Sequence, residues 1–347
     1  MSLQTAPPSV RPGRRSESQL LTNIKYRWPA RYRASWAALL LVVLGAAVLT
    51  PSALGGASTT LVTALAGVLA IAAFGQLLII MTGAIDLSVS AIVSLAAGIV
   101  VHYGVDPGAN VVPLVALALA LSVLLSLLNG FLIVVLRLNA LIVTLATVGM
   151  ITGGIQRWTG VALSRTGQTP QGLQDFAQFE ILGVNAVFIC ALAIGAALAF
   201  FLGKTRLGRK VAMVGSNRRA AQVQGTRVKS VEMLVFALAG LLYGTAGVLL
   251  AGYIGSPDVL SGEMYQLLTI TVAGVAGVLF TGGPASIASV LSACLFLIML
   301  DQVLSFAGVP VGARVVIQGL VLAVAVAAIT IGQLGAGLGR RRVRRAV

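Results

Sequence analysis

The feature that most narrows the possible folds is a repeated one. Stretch after stretch of nearly unbroken apolar residues is separated by short polar breaks. A helix needs roughly 20 such residues to cross the hydrocarbon core of a bilayer. By that measure the chain predicts helices near 35–50, 60–80, 85–103, 112–136, 140–158, 184–203, 231–252, 264–280, 285–306 and 312–331. That makes about ten, with a range of eight to ten, because the first run is short and Thr82-Gly83-Ala84 splits the second from the third. The expected fold class is an all-α polytopic membrane protein with broken helices. Composition closes off the soluble alternative: of 347 residues, 58% are hydrophobic and 10% charged, and mean hydropathy is +1.00.

A formal net charge of +15 would suit nucleic acid if it covered one face. Instead the basic residues gather in Arg11 to Arg33, Lys204 to Lys229 and Arg340 to Arg345. Segregation into both ends and one loop is a topology signal, so no nucleic-acid partner is expected and the lipid bilayer is. An even helix number puts both tails on one side, and their charge makes that side cytoplasmic. The chain is expected to divide into a disordered basic cytoplasmic tail (1–34), a transmembrane domain (35–331) and a second basic cytoplasmic tail (332–347). Arg137-Leu138-Asn139 and 204–230 then also face inward. The segments 104–111, 159–183, 253–263 and 307–311 face outward, and they hold Asp106, Asp175, Glu180, Asp258 and, at a helix edge, Glu263.

The stretch 204–230 is the one long polar segment between two spanning runs, with eight basic residues and no acid. Ser216-Asn217 offers an N-cap and Gly225 a stop, so Arg218 to Gln224 reads as a short helix. Ala220 and Ala221 let such a helix sit deep in a partner's groove, while Arg218 and Arg219 pair with carboxylates at its rim. The plainer reading is positive-inside charge alone. That reading needs neither a cap nor central alanines, and a docking element does.

Polar residues inside the apolar runs need a reason. A carboxylate at the bilayer centre costs about 2.5–3.5 kcal/mol on insertion scales. Asp86 either caps a helix start, accepting from the amide of Ser88 or Val89, or lines a hydrophilic path at a broken helix, and the two readings are compatible. Asp301-Gln302 has no cap available and is expected to face a cavity. Asn129, Thr144, Thr147, Gln156 and Thr271 are milder intrusions. Each alone reads as bonding back to its own helix, and together they supply donors and acceptors for a polyhydroxylated solute. Gly240, Gly244 and Gly247 suit close helix packing. Thr82-Gly83 followed by Ser88 and Ser90 faintly echoes Thr281-Gly282-Gly283 followed by Ser286 and Ser289, as in transporters built from repeated halves. His102 beside Tyr103 reads as interfacial, Arg314 as snorkelling, and Cys190 and Cys294 as packing.

Several chemistries fall away. Gly203-Lys204-Thr205 imitates the end of a nucleotide-binding loop, but position 198 is Leu where that motif needs Gly. No ligand cluster suits a metal, and a single histidine builds no catalytic triad. The chain is expected to be no enzyme and to hold no cofactor of its own. An ion-gradient-driven transporter, with Asp86 or Asp301 as the ion site, stays open as the alternative to an ATP-driven one.

Four stretches, in order, resemble the permease subunit of the ribose/xylose/arabinose branch of bacterial ABC importers: GAIDLSVSAIVSLAAG (83–98), LLNGFLIVVLRLNALIVTLAT (127–147), TRLGRKVAMVGSNRRAAQVQGTRV (205–228) and TGGPASIASVLSA (281–293). The likeness runs from about Val68 to Ala328. It implies a homodimer or paired permease in the bacterial inner membrane, a cytoplasmic ATPase subunit carrying ATP and magnesium, and an extracytoplasmic solute-binding protein that delivers a monosaccharide or similar polyol. Gly215, Asn217, Arg218, Arg219, Ala220, Ala221 and Gly225 would serve the ATPase contact. Asp86, Asn129 and Thr144 would fall at the path, with Ser88, Thr147, Thr271, Asp301 and Gln302 as further candidates. The sequence departs from the pattern at Asn139 for Pro, which implies a less sharp helix boundary. It departs again at Asp301-Gln302 for an Asn pair, at Ala288 for Gly and at Gln318 for Lys.

Overall fold

The computed structural model of the protein describes residues 30–105, 110–160 and 167–345. Residues 1–29 of the expected disordered tail, and Asp106, lie outside the described residues, whereas 30–34, expected to belong to that tail, are the first residues of a helix. Besides a 3-10 turn at Pro51–Leu54 and a π turn at Phe131–Val135, the described chain contains thirteen α-helices and one two-stranded hairpin. In order they are α1 (Ala30–Leu49), α2 (Gly56–Met81), α3 (Val89–Tyr103), α4 (Val111–Gly130), α5 (Ala140–Thr159), α6 (Gln171–Gln178), β1 (Glu180–Ile181), β2 (Val184–Asn185), α7 (Ala186–Lys204), α8 (Arg206–Ser216), α9 (Arg218–Val223), α10 (Val228–Ile254), α11 (Met264–Val275), α12 (Ile287–Phe306) and α13 (Val311–Arg345). Eight of these are long and apolar enough to cross a membrane by length and composition, while α3 and α11 are apolar but short. The chain is an all-α polytopic membrane protein.

The centre of the bundle is α2 with α10. The spanning window of α2 is 94% buried, and α10 packs chiefly on α4, α2 and α3. Lipid tails are as apolar as leucine, so association in a bilayer rests on close fit rather than on hydrophobic drive. The glycines of α10 supply that fit. A Cβ on Gly240 would stand 2.6 Å from the Ser122 carbonyl oxygen and one on Gly244 2.7 Å from Ser122 Oγ, and one on Gly247 would overlap the Val93 carbonyl. Packing is therefore what these glycines do. Around this centre, α1 lies against α12, α7 against α2, and α13 mainly against α11. The apolar outer surfaces of α1, α4, α5 and α13 remain exposed.

Helix existence follows the sequence closely, and the differences have local causes. The expected spans 85–103 and 264–280 both shorten, because residues 82–88 and 276–286 leave the helix at glycines with positive φ: Gly83, Gly277, Gly282 and Gly283. The expected outer loop 159–183 holds α6, whose Leu173 and Ala177 are buried against the bundle, followed by the hairpin. The polar stretch 204–230 contains a whole extra helix, α8, before the predicted one. Thr205 caps it, its Oγ1 accepting from the Gly208 amide at 3.0 Å, and it buries Gly208, Val211 and Val214 at three-residue spacing. The division at residue 331 is no break in the backbone, since α13 runs on to Arg345. Asn139 sharpens its helix boundary rather than blurring it: its Oδ1 accepts from the Leu141 amide at 2.9 Å and lies 3.4 Å from the Ile142 nitrogen, capping α5. His102 lies at one end of the bundle in an aromatic cluster, its ring 5.0 Å from Tyr103 and 4.6 Å from Trp158.

Candidate functional site

Four of the expected path residues form one buried hydrogen-bonded chain that joins the turn before α3 to α4 and α5. Asp86 lies in the non-helical stretch before α3. Its Oδ1 accepts from the Ser88 amide at 2.8 Å and from Ser88 Oγ at 2.6 Å. Asn129 Nδ2, from α4, donates to the same Ser88 Oγ at 2.9 Å. Thr147 Oγ1, from α5, donates to Asn129 Oδ1 at 2.6 Å and stands 2.9 Å from the Val143 carbonyl. All four residues are buried. Asp86 makes the amide bond of the capping reading, which stabilises the turn into α3, and it also opens the chain. Its second oxygen, Oδ2, is buried without a partner, and an unsatisfied buried acceptor costs about 1–3 kcal/mol, more when charged. Gln76 Nε2 is likewise buried and unpartnered. Gln76 Oε1 accepts from Tyr243 at 3.0 Å, and Tyr243 is within electrostatic reach of Asp86.

The other candidates lie apart from this chain. Thr144 is buried but donates to the Ala140 carbonyl at 2.8 Å, and Thr271 donates to that of Leu267 at 2.9 Å, so both are held by their own helices. Asp301 accepts from Arg314 Nη1 at 2.8 Å and from Gln318 Nε2 at 3.2 Å, tying α12 to α13. Gln302 Nε2 reaches Ser58 Oγ at 3.4 Å, at the start of α2. Asp301 therefore has an ion-pair partner near the end of α12, and Arg314 is spent on that pair rather than snorkelling freely.

Beside the polar chain lies a cavity of about 370 Å³ between α3, α5 and the start of α11. Ser90, Ser94, Thr152, Gln156, Glu263 and Gln266 give it polar walls. Ser90 Oγ lies 3.3 Å from Gln266 Oε1, and Ser94 Oγ accepts from the Gly262 amide at 3.0 Å. Apart from Gln156, these residues are not among the polar intrusions read from the sequence. Their signal was there: Ser90 and Ser94 are one helical turn apart, as are Thr152 and Gln156. Among the described residues no group of three His, Cys, Asp or Glu side chains is placed to hold a metal.

The basic stretch folds into a surface element. Asn217 Oδ1 accepts from the Ala220 amide at 3.0 Å, so the predicted N-cap opens α9, and Gly225 follows it with φ 76°. Arg219, Ala220 and Gln222 are exposed, whereas Ala221 is buried. Arg218 is held from within: its Nη2 lies 2.7 Å from Glu232 Oε2 on α10. The residue that sequence reasoning passed over is Val223, 89% exposed at the tip of the helix. Gly215 points the other way, into the bundle.

With these features in place, the comparisons with known proteins decide the class. A family model described as the branched-chain amino acid transport system permease component matches residues 58–326. The chain belongs to that permease family. This permease is 31% identical to the ribose import permease protein RbsC of Bacillus subtilis (strain 168) over 292 residues, 83% of this chain and 89% of that one. It is 30% identical to the autoinducer 2 import system permease protein LsrC of Enterobacter sp. (strain 638) over 284 residues, 82% of each chain. Its identity to the LsrC of Escherichia coli (strain K12 / DH10B) is 29% over 267 residues, 76% of each. No solved structure matches the chain. The permease is thus a multi-pass membrane transport subunit, and its relatives work in import systems.

Proposed function

We propose that this permease is the membrane subunit of an ATP-driven importer for a monosaccharide or similar small polyol. The observation that carries this reading is the chain Asp86–Ser88–Asn129–Thr147 alongside a polar cavity large enough for one small solute. Alternating hydroxyl, amide and carboxylate groups match the donors and acceptors of a polyhydroxylated molecule. One relative is named for ribose and others for autoinducer 2, which supports a small polar solute delivered by an extracytoplasmic binding protein. The family and the LsrC relatives are named as parts of systems, and this favours a separate motor over a gradient-driven carrier.

In this reading the basic segments, the α8–α9 pair and both termini face the cytoplasm, as the positive-inside rule directs. A cytoplasmic ATPase with bound ATP and magnesium grips α9 through Ala220, Val223 and Arg219. Two copies, or one copy and a paired permease, complete the pore. Reconstitution with the ATPase and binding protein tests the reading. Labelled ribose or a related solute should accumulate in proteoliposomes only when ATP and the binding protein are both present. Accumulation by the permease alone, driven by a proton or sodium gradient, overturns it.

A further inference from the structure

Three pieces of main chain meet at one point beneath the polar chain. The first is the end of α2, where Met81 is followed by Gly83 at φ 87°. The second is the break between α11 and α12, where Gly282 and Gly283 have φ 95° and 119°. The Gly283 amide donates to the Met81 carbonyl at 3.0 Å, so the two breaks are bonded to each other. The third piece is Gly215, in the last turn of α8. A Cβ there would overlap the Met81 carbonyl oxygen and stand 2.9 Å from the Gly283 nitrogen. A Cβ on Gly282 would stand 2.7 Å from the Gly215 carbonyl oxygen, 3.1 Å from that of Met81 and 3.3 Å from the Gly83 nitrogen.

At Gly215 and Gly282 every nearest neighbour is main chain. Side chains absorb small displacements by changing rotamer, whereas main chain pressed on main chain passes a displacement on. The positions it reaches matter. Asp86, which opens the polar chain, follows Met81 by only a few residues. Ser286, whose Oγ lies 3.3 Å from the Ser289 amide at the start of α12, follows Gly283 as closely. The two stretches that echo each other in sequence, Thr82-Gly83 and Thr281-Gly282, thus come together against the element that carries the exposed docking helix.

We propose that the Gly215–Met81–Gly282/Gly283 junction relays motion of α8–α9 to both helix breaks, with Gly215 and Gly282 as positioning residues for transport. The proposal rests on the reading of α9 as the ATPase contact. It predicts a wedge effect at a site that α9 itself does not include. In the reconstituted importer, Gly282→Ala leaves ATPase co-purification and basal hydrolysis intact. Solute moved per ATP hydrolysed falls by about tenfold, the size of an ordinary coupling free energy. Gly308→Ala is the control: Gly308 also has positive φ, 75°, but a Cβ there meets nothing within 4 Å. It shares the backbone strain without the wedge and should transport within about twofold of wild type.

Hydrogen exchange on the wild-type complex gives a second readout that survives a misfolded variant. On trapping ATP, protection of 79–86, 212–217 and 279–285 should change together. Change in 212–217 alone, or wild-type coupling in Gly282→Ala, overturns the relay. Absence of ATP-dependent transport by the wild-type complex would instead overturn the importer reading beneath it, so the two failures are distinguishable.

Discussion

Ser88 is the hinge of the buried polar chain, and Ser88→Ala tests whether the chain exists as described. The substitution removes a single oxygen that serves two neighbours. Asp86 Oδ1 loses the 2.6 Å hydroxyl donor and keeps only the Ser88 amide, while Asn129 Nδ2 loses its acceptor. A hydrogen bond to a charged group contributes about 1.5–3 kcal/mol, and orphaning a buried amide costs about 1–3 kcal/mol. Those figures come from water-soluble proteins. Inside membranes, measured interhelical hydrogen bonds average about 0.6 kcal/mol and reach about 1.7. The expected loss of two bonds is therefore about 2 kcal/mol, between twice the membrane average, about 1.2, and twice its maximum, about 3.4. Thr147 behaves differently, because its hydroxyl can fall back on the Val143 carbonyl 2.9 Å away. A double-mutant cycle of Ser88→Ala with Asn129→Ala, read by reversible unfolding in mixed micelles, should give a coupling energy of about 1 kcal/mol. Thr271→Val, which breaks only a bond within its own helix, should cost less than about 0.5 kcal/mol. Additive effects of Ser88→Ala and Asn129→Ala would show that the two side chains do not meet, and the reasoning about the path would fail with them.

Other expectations follow from the same contacts. Arg314→Ala leaves Asp301 with Gln318 alone, and because both partners are partly exposed the loss of stability should be about 1–2 kcal/mol, lowering the thermal midpoint in detergent. Asp301→Asn should leave solute affinity within about twofold of wild type, since its carboxylate is occupied by α13; a large rise in the transport KM would place it in the path after all. Val223→Glu puts a charge on the most exposed apolar tip of α9 and should abolish ATPase co-purification while membrane insertion is unchanged. Gln266→Leu removes a polar wall of the cavity and should raise KM by about tenfold with little effect on basal ATP hydrolysis, as expected for lost binding.

Legibility of the fold tracked the physics of each signal. Long apolar runs announce themselves because a bilayer demands them, and every spanning helix was visible. The turn chemistry of α9 was equally plain, since Asn217 and Gly225 act within a few residues of themselves. What the sequence hid was non-local. Arg218 looked free to meet a partner's acid because Glu232 lies across a helix boundary. Asp301 looked unpaired for the same reason, with Arg314 placed in the next helix. The sequence paired Asp86 with the Ser88 amide and grouped Asn129 with Thr147, but only the packing of α4 and α5 on the turn before α3 joins all four. Helix α8 was masked by its basic surface, although Gly208, Val211 and Val214 mark its buried stripe.

Two of the apolar helices are too short for their surroundings. At a rise of 1.5 Å per residue, the 15 residues of α3 reach about 22 Å and the 12 of α11 about 18 Å, against a hydrocarbon slab about 30 Å deep. The remaining depth is crossed by extended and turning chain, and peptide groups there need partners that oil does not offer. The protein meets part of that demand itself, as where the Gly283 amide donates to the Met81 carbonyl. The peptide groups left over need water, so wetted carbonyls and amides should extend well below the lipid headgroups. Solute hydroxyls passing that level meet backbone as readily as side chain. A survey of point substitutions will therefore undercount the groups that handle the cargo, because no mutation deletes a carbonyl.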